Sequence, residues 1–219
     1  MAPKQRYEGV IEEWPSQSLL YVPALPGFIA SAPTREELIE LSLPALDLHL
    51  AWLEGHGYPP ALEDEGGLFV AEDLPAHGGA GPLFLADRVD PGFDAIELSL
   101  ALGRVALSDV IDLVDSLEEA GSAGPDVTRI VRHICVLDIW HSTRLGGPDP
   151  ALHPIADAVD AMIAAAGMFE NRIDEINESG EHGIVVLDGE EWTLAKLLRR
   201  RTAHIREHAM ELAALLPGE

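Results

Sequence analysis

The sequence predicts an α+β protein: a small N-terminal α/β domain followed by an antiparallel bundle of four helices. Three observations carry this. Short β-forming runs crowd the first third of the chain, the apolar period turns helical after about residue 93, and breaker residues cluster between the two. In that cluster Leu74-Pro75-Ala76-His77-Gly78-Gly79-Ala80-Gly81-Pro82 precedes the short apolar run Leu83-Phe84-Leu85 and then Asp90-Pro91-Gly92. The expected organisation is a first domain over residues 1–75, a linker over 76–92 and a helical domain over 93–219.

In the first domain, Tyr7 to Glu13 and Ser18 to Val22 are β-forming runs separated by Trp14-Pro15-Ser16, and Leu25-Pro26-Gly27-Phe28-Ile29-Ala30 returns to an extended segment. Thr34 stands before Arg35-Glu36-Glu37 as a helix cap, and Leu38, Leu41, Ala45, Leu48 and Trp52 follow at helical spacing. Pro44 should kink this helix, which stops at Gly55-His56-Gly57-Tyr58-Pro59-Pro60. Gly67-Leu68-Phe69-Val70-Ala71 reads as a last strand. The order is strand, strand, strand, helix, strand. With Leu25-Pro26-Gly27, the Ala32-Pro33-Thr34-Arg35-Glu36-Glu37 entry and the Gly57-Tyr58-Pro59-Pro60 exit, it resembles the HicB-like antitoxin fold over about residues 5–75. Antitoxins of that family pair with a small RNase toxin and often carry a DNA-binding module; no such module is legible here.

In the second domain four helical segments emerge, about Phe93–Glu119, Asp126–Leu145, Pro154–Glu178 and Thr193–Leu215. Gly121-Ser122-Ala123-Gly124-Pro125 and Gly146-Gly147-Pro148 break them. Between the last two, Gly183-Ile184-Val185-Val186-Leu187-Asp188-Gly189 suits a small hairpin over one end of the bundle. Packing four helices antiparallel buries their apolar stripes.

Charge excludes several partners. The chain has 14 Lys and Arg against 38 Asp and Glu, a net −24, and the excess runs throughout: 4 basic and 15 acidic residues in 1–92, 10 and 23 in 93–219. A nucleic-acid backbone or an anionic membrane is bound through clustered Lys and Arg, so neither is an expected partner. A lone Cys135, no leader pattern and no apolar run of about 20 residues point to a soluble cytoplasmic protein.

Histidines mark the candidate site. Turned by 100° per residue, Leu194, Leu197, Leu198, Arg201, His204, Ile205, His208, Leu212 and Leu215 fall in one stripe of the last helix. His204 and His208 therefore face inward a turn apart, either as a pair of metal ligands or as polar residues at a bundle edge. On the second helix Ile130, His133, Leu137, Trp140 and His141 share a side, continued by Ile134, Asp138 and Leu145. Three inward imidazoles would cost free energy unless hydrogen bonds or a metal satisfied them, and one metal satisfies all three.

The last helix, Glu191-Trp192-Thr193-Leu194-Ala195-Lys196-Leu197-Leu198-Arg199-Arg200-Arg201-Thr202-Ala203-His204-Ile205-Arg206-Glu207-His208, together with Arg132-His133-Ile134-Cys135-Val136-Leu137-Asp138, resembles the DinB-like superfamily. That superfamily includes YfiT-type proteins and mycothiol-dependent maleylpyruvate isomerase. The resemblance covers roughly residues 93–219 and implies a DinB-like four-helix bundle in which His133, His204 and His208 hold a divalent ion. Zinc or nickel comes first as that ion, with iron or manganese next. Where the family often has an aromatic this chain has His141, which is a fourth ligand, a proton shuttle, or a packed histidine bonded to Asp138 or a carbonyl.

Other polar groups read more plainly. His153 and His182 suit solvated loops, His49 and His56 suit cationic caps at a helix C-terminus, and Cys135 suits a buried structural thiol. Arg201 faces inward and is expected to pair with Asp138 or Asp109 rather than await a substrate carboxylate. Pocket walls would come from scattered residues such as Met162, Gly167, Met168 and Phe169.

Three neutral ligands leave a divalent ion its full charge, with a fourth position for water, thiol or substrate. The expected function is a metal-dependent transferase or hydrolase acting on a small molecule or a low-molecular-weight thiol, with Asp138 or His141 as acid/base or supporting group. The alternative is a non-catalytic interaction protein with a HicB-like partner surface and a structural or vestigial metal site. A small-molecule sensor clamped between the halves is a third reading, and an unpaired strand edge offers a homodimer seam.

Overall fold

β1 (Tyr7–Trp14), β2 (Gln17–Tyr21) and β3 (Ile29–Ala32) run antiparallel in sequence, and β4 (Leu68–Pro75) adds in parallel beside β1, giving the sheet order β3-β2-β1-β4. The computed structural model describes residues 6–59, 67–77, 79, 81–147, 157–180 and 182–217. Helix α1 (Arg35–Gly55) connects β3 to β4; its Thr34 hydroxyl accepts from the Glu37 amide, and the helix continues through Pro44.

The second half contributes α2 (Gly92–Glu119), α3 (Pro125–Thr143), α4 (Ala158–Ser179), a hairpin of β5 (Val185–Leu187) and β6 (Glu190–Trp192), and α5 (Leu194–Ala213). The molecule is thus α+β, with the expected order of elements. The expected start of the third of these helices, at Pro154, lies outside the described residues, as does His153. α2 packs on α5, α3 on α4, and α5 also on α3.

The sheet is covered on both faces, which explains why β1 lacks a clean apolar and polar alternation. Ile11 and Leu20 face α1, joining Leu38, Leu46 and Leu53 in one core. Val10, Leu19, Tyr21 and Ile29 face the other way, onto Phe84 and onto Ala203 of α5. Because side chains alternate along a strand, Glu12 shares the face of Val10 and enters the contact with α5. There it is fully buried.

The segment between β4 and α2 is part of this packing. Phe84 and Asp87 are buried, the Phe84 amide donates to Asp87, and Thr193, the N-cap of α5, donates to the Asp87 carbonyl at 2.6 Å. Arg199 spends every guanidinium nitrogen here: Nε and Nη2 on Asp87 at 2.9 and 2.8 Å, Nη1 on Glu12 at 3.1 Å. Arg200 reaches both Glu12 oxygens through Nη1, each at 2.8 Å. Gly81 sits so close to this pair that a Cβ there would stand 2.7 Å from Arg200 Nη1 and from Glu12. A buried carboxylate this well paired ionises readily: burial alone would raise its pKa, but Arg200 and Arg199 hold it below the usual range.

The expected capping role of His49 is corrected. The residue is buried, edge-on to Phe28 and stacked near Trp52, and burial followed by the Arg206 charge lowers its pKa to about 3. It is neutral, so it supplies no charge to the helix end. His56 does occupy the C-cap, where it bridges the Trp52 carbonyl and Asp109. His182 is not freely solvated either, since its Nδ1 meets Asp90 at 2.9 Å.

Candidate metal centre and the pocket beside it

His133 comes from the middle of α3, and His204 and His208 come from successive turns of α5, the helix packed against it. One nitrogen from each ring lies within 4.8 Å of the other two. Ring centroids stand 5.0 Å apart for His133 with either partner and 4.3 Å apart for His204 and His208. Cys135, two positions from His133, points the other way, to the Ala161 carbonyl of α4.

The protonation of the cluster suits metal donors. Burial, followed by the neighbouring His208, lowers the pKa of His133 and holds that of His204 well below the ordinary imidazole value. Both rings therefore carry free lone pairs. The Nδ1 atom of His208 meets Glu211 at 2.7 Å, which places its proton on that side and leaves Nε2 as the inward atom. That Nε2 lies 2.9 Å from Nε2 of His204. Two nitrogens each about 2.0–2.1 Å from one ion would be separated by about 2.9 Å at a right angle and about 3.3 Å at the tetrahedral angle. The His204–His208 separation is that of two donors to one small divalent cation, and equally that of a hydrogen bond between the two rings.

Asp138 and Arg201 form a closed pair. Arg201 donates from Nε and Nη2 to the two Asp138 oxygens at 3.0 and 2.9 Å, both residues are buried, and the guanidinium lies over the Phe169 ring. Gly103 of α2 makes room for it, since a Cβ there would stand 2.7 Å from Arg201 Nη1. Of the partners expected for Arg201, the structure selects Asp138; Asp109 instead meets Trp52, His56 and Arg206.

His141 lies apart from the three-histidine cluster. It is buried among Trp140, Trp192 and Phe169, with ring centroids 5.2, 6.3 and 6.4 Å away, and its Nδ1 is enclosed without a partner among the described residues. Neither Asp138 nor a carbonyl satisfies that atom. Burial, then Arg200, Arg201 and Arg144, push its pKa well below the usual value, so the ring is neutral.

A cavity of about 530 Å³ opens beside the cluster. His141, His204, Arg200 and Glu207 line it from α3 and α5, with Val136, Leu137 and Trp140; Trp14, Leu19, Tyr21 and Ile29 close it from the sheet. The walls are thus not those expected from the sequence: Met162 and Phe169 are core residues instead. Glu211, Glu207, Arg200 and Glu12 are functional candidates that the spacing argument passed over. Glu211 was legible as the i+3 neighbour of His208, and Arg200, His204 and Glu207 as an i, i+4, i+7 row. Glu12 lies far away in sequence and offered no local signal.

Fold and site together define an α+β protein in which a β-sheet and a helical half close over a pocket beside three converging histidines. Comparison of the chain with known protein families, with curated proteins and with solved structures gave no significant match. Among the described residues, no helix is long and apolar enough to cross a membrane.

Proposed function

We propose that the protein is a metal-dependent enzyme in which His133, His204 and His208 hold one divalent cation, zinc or nickel first and iron or manganese next. The reading is carried by the convergence of three imidazole nitrogens within 4.8 Å, one of them oriented by Glu211. When bound, such an ion supplies Lewis acidity at a coordination position that the protein leaves open. Among the described residues no fourth His, Cys, Asp or Glu joins the group, and a pocket lies next to it; both features favour chemistry over a closed structural site. A DinB-like ancestry of the helical half, with a small thiol or other small molecule as substrate, is consistent with this arrangement and belongs to the same proposal. So does a HicB-like first half, whose sheet here serves as a wall of the pocket.

The residues divide the work as follows. Glu211 fixes the His208 tautomer. Asp138 engages both oxygens with Arg201, so it holds that guanidinium in the core over Phe169 and has no oxygen left over for a bound molecule. His141 is neutral and lines the pocket, where it is placed to hydrogen-bond a bound molecule, while burial and the charges of Arg200, Arg201 and Arg144 disfavour its protonated form. Chelator-stripped protein reloaded with zinc, nickel, iron or manganese should bind one ion per chain, with affinity falling on His204→Ala. No measurable affinity, or none lost in that variant, removes the proposal.

A further inference from the structure

Two neighbouring arginines on α5 meet the same carboxylate and end in different states. Arg199 engages all three guanidinium nitrogens with Glu12 and Asp87. Among the described residues Arg200 engages only Nη1, with Glu12, and it lines the pocket. An arginine fork that stays half used is a ready partner for a planar anion, because Nε and Nη donate in parallel to two oxygens. The surroundings are cationic as well: Lys196, Arg199 and Arg200 face Glu12 and Asp87, and Lys196 is buried with its ammonium on the Gly81 and Glu191 carbonyls. Its pKa is lowered to about 8, by burial first and then by Arg200 and Arg199. In a chain of net charge −24 this is an unusual place for three cations.

The pocket also has a direction. Arg200, His204 and Glu207 lie on one face of α5, and the seven residues from Arg200 to Glu207 span about 10 Å along the axis. The cation is at one end of this row, the carboxylate at the other, and the metal-ligating face between them. Across from the row stand Trp14, Leu19, Tyr21 and Ile29, with Val136, Leu137 and Trp140 at the side. These are apolar or flat surfaces, and the volume of about 530 Å³ is that of a small-molecule site.

We propose that this pocket takes a small carboxylic acid with a flat apolar body, its carboxylate on the free edge of Arg200 and its body lying over His204 against the aromatic wall of the sheet. The proposal rests on the pocket being the substrate chamber of the three-histidine site. It assigns a task to the first half of the chain: Trp14, Leu19, Tyr21 and Ile29 select the body of the ligand, while Glu12 holds Arg200 in place for its head. A carboxylate in the reverse orientation would meet Glu207, which offers it no cation.

Calorimetric titration of the chelated, metal-free protein with phenylacetate, 3-phenylpropionate and 2-naphthoate, each beside its neutral amide, tests the anchor. The expected result is at least one acid bound about tenfold or more tightly than its amide. Arg200→Gln should abolish that preference. Arg200→Lys, which keeps a cation against Glu12 and so protects the fold, should lose most of it. No binding of any acid at millimolar concentration, equal binding of acid and amide, or a preference unchanged in Arg200→Lys overturns the proposal. A preference that appears only after zinc loading and vanishes in His208→Ala places the carboxylate on the ion; the anchor is then wrong and the three-histidine reading stands. An Arg200-dependent preference in a protein that binds no metal keeps the anchor and removes the three-histidine reading.

Discussion

Single residues decide two parts of the account. Glu12 is fully buried between Arg199 and Arg200, so Glu12→Gln would leave the Arg200 guanidinium with no counter-charge and Arg199 with Asp87 alone. Breaking a buried pair from one side costs about 3–5 kcal/mol, and urea unfolding of this variant should show a loss of that order. Glu211 touches only the far nitrogen of His208, so Glu211→Gln should leave folding intact. Its effect should appear as metal affinity weakened about 10–100-fold in competition with a chromogenic chelator. His204 and His208 were legible because helical periodicity puts them on one face; His133 was expected to face inward with them but is exposed, and its ring meets theirs from the solvent side of α3. His141 was placed on the correct side of α3, but periodicity cannot say which inward groups converge, and it landed among Trp140, Trp192 and Phe169 instead of with the ligands.

At the scale of elements, α5 is the axis of the molecule. It meets the sheet, α2 and α3, which explains how Lys196, Arg199, Arg201 and His208 are all buried on one helix. Its polarity did not predict this centrality, since a sequence rich in Arg reads as a solvated face unless the matching carboxylates are known. α1 carries a pH response. His49 has a pKa of about 3 in the fold against about 6.5 when unfolded, so above pH 6.5 both states hold the ring neutral and nothing is lost. As pH falls from about 6.5 toward 3 the unfolded chain takes up the proton first, and stability declines across that window. At pH 5 the loss from this residue should be about 2 kcal/mol. Comparing urea midpoints at pH 7 and pH 5, in the presence of a chelator, should show a smaller acid loss in His49→Leu than in the wild type by about that amount.

For the whole molecule, the order of elements was readable because breakers and period changes are local, whereas the union of the two halves was not. The buried Glu12, Asp87, Arg199 and Arg200 group and the contact of Val10, Tyr21 and Phe84 with Ala203 tie the sheet to α5 across almost the full length of the sequence. Thermal unfolding should therefore be a single transition, with helical circular dichroism and tryptophan fluorescence melting together. Separate melts would mean that the shared core is weaker than its burial implies. The same union makes the pocket, whose floor is helical and whose opposite wall is the sheet. The central claim, that three histidines beside this junction hold a metal ion, is tested most directly by elemental analysis of the purified protein beside its His133→Ala, His204→Ala, His208→Ala triple variant. The account predicts close to one zinc, nickel, iron or manganese ion per wild-type chain and none in the variant. Equal metal content in both, or a wild-type protein that stays empty after reloading, would contradict it.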